Sequence, residues 1–144
     1  MLFSKKQAAP PGLRAAAPTS QVTTKRRGDA AEALACEYLA ARGLRLVQAN
    51  FKTPGRGGGE IDLIMRAPDG TLVFVEVRQR SSASHGGAGA SITHFKQRRI
   101  ILAAQHFLQR FASPPPCRFD VVLVQGSAQE TSTIDWLQAA FDAS

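Results

Sequence analysis

Apolar residues first recur at helical spacing. Over residues 25–42, Ala31, Leu34, Ala35, Tyr38 and Leu39 fall at i, i+3, i+4, i+7 and i+8, the stripe of an amphipathic helix. Asp29 sits in its first turn, where the helix dipole favours an acid, and Gly43 ends it. Residues 44–52 (LRLVQANFK) then predict a strand, residues 53–59 (TPGRGGG) a loop or wide turn, and residues 60–67 (EIDLIMRA) a second strand. Asp69-Gly70 is a hairpin signal, so residues 71–80 (TLVFVEVRQR) form a third strand paired with the second. The continuous apolar run of that strand predicts burial on both faces.

Residues 81–90 (SSASHGGAGA) are too polar and glycine-rich for core and predict a flexible loop. A second helix is expected from Thr93 to Phe111, with Ile100, Ala103, Ala104, Phe107, Leu108 and Phe111 as its stripe and the following SPPP as its stop. CRFDVVLVQ (117–125) reads as a fourth strand, and IDWLQAAF (134–141) as a short helical or coil segment that packs back. The order α-β-β-β-α-β predicts an α/β sandwich, a mixed sheet flanked by helices. The fourth strand, arriving after a helix, is expected parallel to the third by a crossover. No repeat is present.

The 144 residues suit one domain with a real core. The formal charge of +7 is unevenly placed: Lys5, Lys6, Arg14, Lys25, Arg26 and Arg27 meet no acid in residues 1–27, while 12 basic and 11 acidic residues nearly cancel in the rest. This divides the chain into a disordered basic tail, residues 1–24, and one domain, residues 25–144. The tail either adds salt-sensitive affinity for nucleic acid or is a solvated leader. It lacks the apolar core of a secretory signal, its transit-peptide look is weak, and no run approaches the ~20 apolar residues of a membrane span. Cys36 and Cys117 have no metal spacing and read as buried thiols of a reducing compartment, the cytoplasm.

The glycine run does not open a dinucleotide site, because Glu60 takes the third glycine position and the run enters a strand. Its expected role is to turn the chain into the second strand and let a substrate backbone approach. Neither a nucleophile elbow nor a Walker lysine occurs, and His85, His94 and His106 share no ligand spacing.

Two acids interrupt the core strands. Alternation puts Glu60, Asp62 and Ile64 on one face of the second strand and Ile61 and Leu63 on the other; Leu72, Phe74, Glu76 and Arg78 share a face of the third. Glu76 breaks an otherwise apolar run, and a carboxylate buried there costs several kcal/mol unless it is paired or binds a cation. The hairpin pairs the strand carrying Asp62 with the strand carrying Glu76; if the register brings the two acids onto one face, they make a pair of hard oxygen donors suited to Mg²⁺. The competing reading is an ion pair with Arg78 or Arg80 and no metal. Glu32 lies at the margin of the first helix's stripe, either lowered toward these acids or exposed at the rim. Lys96 extends the stripe of the second helix, either snorkelling or reaching a phosphate. With Arg98 and Arg99 it forms a basic patch with little aromatic interleaving.

GDAAEALACEYLAARG, GGGEIDLI, LVFVEVRQR, the helix with Lys96, and CRFDVVLV occur in the order found in one family. Over residues 25–142 the chain resembles the YraN-like family, small bacterial proteins with a restriction-endonuclease-like fold. Through it the chain is similar to the PD-(D/E)XK nucleases, including Holliday-junction resolvases and tRNA-splicing-endonuclease-like folds. The resemblance implies an αβββαβ endonuclease-like sandwich and catalytic positions at Asp62, Glu76, Arg78 and Glu32. It makes Asp62, Glu76 and Glu32 ligands of Mg²⁺ or Mn²⁺, with Ile61 at the usual proline position. Lys96, Arg80, Arg98 and Arg99 would meet nucleic acid. Arg78 stands where the family pattern has lysine, and an arginine stays charged and cannot act as a base. The implied activity is a metal-dependent nuclease acting on DNA, including branched or junction DNA. The alternatives are a nucleic-acid-binding module that does not cut, and a partner-binding protein whose acids are ion-paired. A homodimer is expected only by analogy, because a junction needs two cuts.

Overall fold

The computed structural model describes residues 24–80, 92–126 and 133–143. The expected basic tail, except Thr24, and the expected loop at 81–90 lie outside the described residues.

The elements are α1 (Thr24–Ala40), β1 (Arg45–Lys52), β2 (Glu60–Arg66), β3 (Leu72–Arg80), α2 (His94–Leu108), β4 (Cys117–Gln125) and β5 (Thr133–Phe141). They build one five-stranded mixed sheet in the order β1-β2-β3-β4-β5. β1, β2 and β3 run antiparallel in turn, β4 lies parallel to β3, and β5 is antiparallel to β4. The helix between β3 and β4 is what allows the parallel pair, as a crossover requires.

The two helices cover opposite faces. Ala31, Ala35 and Leu39 of α1 pack on Leu63, Met65, Val73, Val75, Val122 and Val124. Ile100, Ala103, Ala104 and Phe107 of α2 pack on Ile64, Leu72, Phe74 and Phe119. β3 lies in the middle and is buried on both faces from Leu72 to Glu76, as its unbroken apolar run predicts. Phe107 meets Phe51 and Phe74 edge-on, with ring centroids 5.4 and 6.2 Å apart, the geometry aromatic pairs prefer.

The expected helix or coil at 134–141 is instead an edge strand, β5. Val121 pairs with Leu137, Val122 with Trp136 and Leu123 with Asp135. The local preference of LQAA for helix is overridden by tertiary contacts. Asp120, fully buried, accepts hydrogen bonds from Trp136 Nε1 and the Ala139 N–H, both at 2.9 Å, and from Arg118 Nε at 3.0 Å. The register slips beside Asp120, and Ala139 takes φ 51°. One buried carboxylate thus holds the strand in place.

Strict alternation also fails in β2. Leu63 packs toward α1, but Ile61 packs with Phe51 and Ile64 toward α2. The expected shared face of Ile61 and Leu63 is therefore not formed. Asn50 lies on β1 between the pairs Ala49–Leu63 and Phe51–Ile61, opposite Asp62, and adopts φ 55°. Such a left-handed residue kinks the strand, and asparagine tolerates it better than most.

Candidate active site

The β2–β3 ladder runs from Arg66–Leu72 to Leu63–Val75 and stops there, whereas β3 continues against β4 as far as Arg80–Gln125. β2 meanwhile stays with β1 down to Lys52–Glu60. The sheet is forked, and Asp62 stands at the fork. Its Oδ2 accepts the backbone N–H of Val77 at 2.8 Å, replacing the ladder bond that the parting of the strands removes.

Glu32 comes from α1 and Glu76 from the sheet face covered by α2. The Asp62 carboxyl is hydrogen-bonded to the side chains of both. The acids form a chain, Glu32–Asp62–Glu76, passing through the fork. Burial first, then the charges of Asp62 and Asp29, pushes the Glu32 carboxyl up to about 7, against the opposing hydrogen bond of Asn50. Burial first, then the charge of Asp62, pushes Glu76 up to about 8. Glu76 is only 6% exposed, so water screens little of this repulsion.

Lys96 provides the direct counter-charge. Its Nζ lies 3.6 Å from Glu76 Oε2. Thr93 caps α2 by accepting the Lys96 backbone N–H at 3.1 Å, which fixes where the lysine enters. Arg78 shares the side of Glu76 along β3 and also opposes the rise of its pKa, more weakly than Lys96. An open pocket of about 420 Å³ adjoins the acids, lined among others by Asp29, Glu32, Asn50, Lys52, Glu60 and Asp62.

The other basic residues have different surroundings. Arg80 is held by Gln125 and Asp135, each at 3.4 Å, which ties β3 to the sheet beyond the fork. Arg99 Nε donates to the Gly58 carbonyl at 3.1 Å and its guanidinium lies 3.7 Å from Glu60. Arg98 lines a groove of about 780 Å³ with Ile101, Leu102, Phe141 and Asp142.

The glycines serve this architecture. A Cβ on Gly59 would overlap the Arg99 carbonyl oxygen, and one on Gly58 would overlap the Thr53 hydroxyl. At Gly59 the backbone that approaches the glycine run is that of α2, while Gly55 and Gly57 face open space.

Asn50 and Lys52 are site residues that sequence reasoning missed. The available signal was an asparagine, a strand-averse residue, within a strand pattern. Its relation to Glu32 depends on how α1 docks, which no spacing reveals.

Among the described residues no three of His, Cys, Asp or Glu form a closed metal-ligating group. The acids lean on one another in sequence rather than surround a point. They are nonetheless all hard oxygen donors, crowded so that two of them hold protons near neutrality.

Comparison with known proteins shows the family. The model of the Uncharacterised protein family UPF0102 matches residues 31–124, the span holding Glu32, Asp62, Glu76 and Lys96. The chain belongs to this family. A UPF0102 protein of Polaromonas naphthalenivorans (strain CJ2) is 67% identical over the whole of both chains. Another, of Polaromonas sp. (strain JS666 / ATCC BAA-500), is 64% identical, again over the whole of both. A UPF0102 protein of Albidiferax ferrireducens is 66% identical across 84% of this chain and 91% of its own. UPF0102 is the family that the sequence resemblance identified under the name YraN. Among the described residues, no helix of this UPF0102 member is long and apolar enough to cross a membrane.

Proposed function

We propose that this UPF0102 protein is a metal-dependent nuclease that hydrolyses phosphodiesters of DNA, with branched DNA among its substrates. The observation that carries this reading is Asp62 at the fork, hydrogen-bonded to Glu32 and Glu76 with Lys96 alongside. The mixed sheet with a helix on each face agrees with a restriction-endonuclease-like fold, which forms part of the proposal. Cys36 is half-buried and Cys117 exposed, not the buried pair expected, but both are free thiols, in keeping with a place in the cytoplasm. Two copies would serve a substrate that needs two cuts.

The donor set fits Mg²⁺ or Mn²⁺, since carboxylate oxygens that repel one another gain from a shared divalent cation. Asp62 and Glu76 would hold it, with Glu32 as a further ligand. When bound, the cation would supply Lewis acidity to the phosphate and acidify water. The Val77 N–H fixes the rotamer of Asp62, so the central carboxylate does not have to be ordered on binding. Lys96 is free to exchange Glu76 for phosphate charge once the acid gains another cation, and Arg78 adds a guanidinium able to meet phosphate oxygens. Arg98 and Arg99 carry the positive field onto the outer surface of α2, where it attracts a polyanion.

A second reading is favoured by Arg78, which cannot serve as a base: the site binds nucleic acid without cutting. Both are tested by incubating duplex, flap, junction and RNA substrates with Mg²⁺ or Mn²⁺, beside Asp62→Ala and Glu76→Ala. Cleavage by wild type, lost in both variants, is expected. Binding without cleavage on every substrate would establish the second reading, and cleavage by Asp62→Ala at the wild-type rate would remove Asp62 from the site.

A further inference from the structure

We infer that Phe95 and Arg98, on the outer surface of α2, bind a nucleic-acid strand whose bases are unpaired, Phe95 stacking a base and Arg98 meeting the backbone. The inference rests on the nuclease reading of the adjoining site and gives its substrate class: single-stranded nucleic acid, or a duplex opened beside the cut.

Phe95 is 67% exposed, the most exposed large apolar side chain among the described residues. Exposure alone carries nothing, because single surface hydrophobics are common. What distinguishes Phe95 is its setting. The Arg99 guanidinium lies 5.9 Å from the ring centroid and also 3.7 Å from Glu60, a residue of the acidic pocket. The ring is thus one side chain away from the pocket wall. The next residue in the chain, Lys96, reaches Glu76 at 3.6 Å. Phe95 therefore stands on the rim of the candidate site.

The same surface continues along the helix. Arg98 and Leu102 follow Phe95 at i+3 and i+7, and Leu102 is 45% exposed beside the groove that Arg98 lines. α2 holds no Asp or Glu. An apolar ring interleaved with arginines, with no acid on the helix, complements a polyanion that presents flat apolar faces. In a duplex those faces are hidden within the stack; in an unpaired strand they are available. Aromatic interleaving is as sparse as the sequence suggests, but the one aromatic in the basic patch is turned outward. An acidic amphipathic protein segment would be a different occupant, and it requires no preference for unpaired bases.

The test uses the full chain in EDTA, so that no strand is cut. The probes are a fluorescein-labelled oligodeoxynucleotide, its RNA counterpart and the blunt duplex of the same sequence. Wild type should prefer a single strand. Phe95→Ala should weaken that binding by about five- to a hundredfold, the effect of losing one stacked base. Its salt dependence should keep the wild-type slope, because no phosphate contact is lost. Phe95→Trp should restore affinity, and its emission should be quenched by the strand. Arg98→Gln should instead lower the slope of log K against log salt by about 0.7, one phosphate's share on a single strand. Phe95→Ala binding the single strand as wild type does, or losing equally on the duplex, would overturn the inference and leave the nuclease reading intact. Wild type that binds no probe and cuts no substrate with Mg²⁺ would overturn both.

Discussion

Asp62 Oδ2 accepts the Val77 N–H at 2.8 Å across a gap where β2 and β3 no longer pair. A carboxylate here does the work of a missing backbone carbonyl while remaining open to Glu32 and Glu76. Replacing it has two opposed effects on stability. Asp62→Ala leaves the Val77 N–H without its partner, a cost of about 1–3 kcal/mol, and removes the charge that raises both glutamates. We expect unfolding in urea to shift by less than that cost, while cleavage falls to background. Asp62→Asn should be more stable than Asp62→Ala, because its amide oxygen still accepts from Val77.

The acid chain makes stability pH-dependent in a stated direction. Glu32 and Glu76 titrate near 7 and 8 in the folded protein against an ordinary value of 4.5. Between those limits the folded state holds more protons than the unfolded chain, so stability falls as pH rises. The contribution is complete below about pH 4.5 and lost as pH passes through 7 to 8. Thermal melts from pH 5 to 9 should show this decline. It should flatten in Glu76→Gln, and Mg²⁺ should raise the melting temperature more at pH 8 than at pH 5.

Asp120 is an anchor for β5. Asp120→Ala would strand the Trp136 indole N–H, the Ala139 N–H and the Arg118 guanidinium together. Removing one partner of a buried charge network costs about 3–5 kcal/mol. The expected result is a large drop in the urea midpoint and a red shift of Trp136 fluorescence as β5 frays.

Two neighbouring glycines should respond differently to alanine. At Gly57, φ is 67° and the space for a Cβ is open, so Gly57→Ala should cost about 1–2 kcal/mol through backbone strain alone. At Gly59 the Cβ would strike the Arg99 carbonyl of α2. Gly59→Ala should cost at least as much as an overpacked core, about 1–3 kcal/mol. It should also displace Lys96, so that activity falls more than in Gly57→Ala at equal stability. Chemical denaturation beside a cleavage assay separates the two effects.

Much of this was legible in the chain. The unbroken run of β3, the Asp69-Gly70 turn and the stripe on α2 each predict an element that forms where expected. Glu76 was conspicuous because a charge within a core strand has to be compensated. β5 was not legible, because IDWLQAAF suits either helix or strand and its choice depends on Asp120. Nor was the partner of Glu76: the sequence offered Arg78 or Arg80, whereas Lys96, read there as snorkelling or reaching a phosphate, makes the direct ion pair at 3.6 Å.

By itself the sequence determined the elements from α1 to β4, their order, the family and the acids with no place in an apolar strand. These follow from local periodicity and from the cost of burying charge, which any fold has to respect. The tertiary structure decided which acids meet. Glu32 and Glu76 belong to opposite sides of a sheet, and they join only because the β2–β3 ladder ends at Leu63–Val75 and Asn50 kinks the strand facing Asp62. A strand's period states which face a side chain takes; where the sheet parts is settled by packing between residues far apart in the chain.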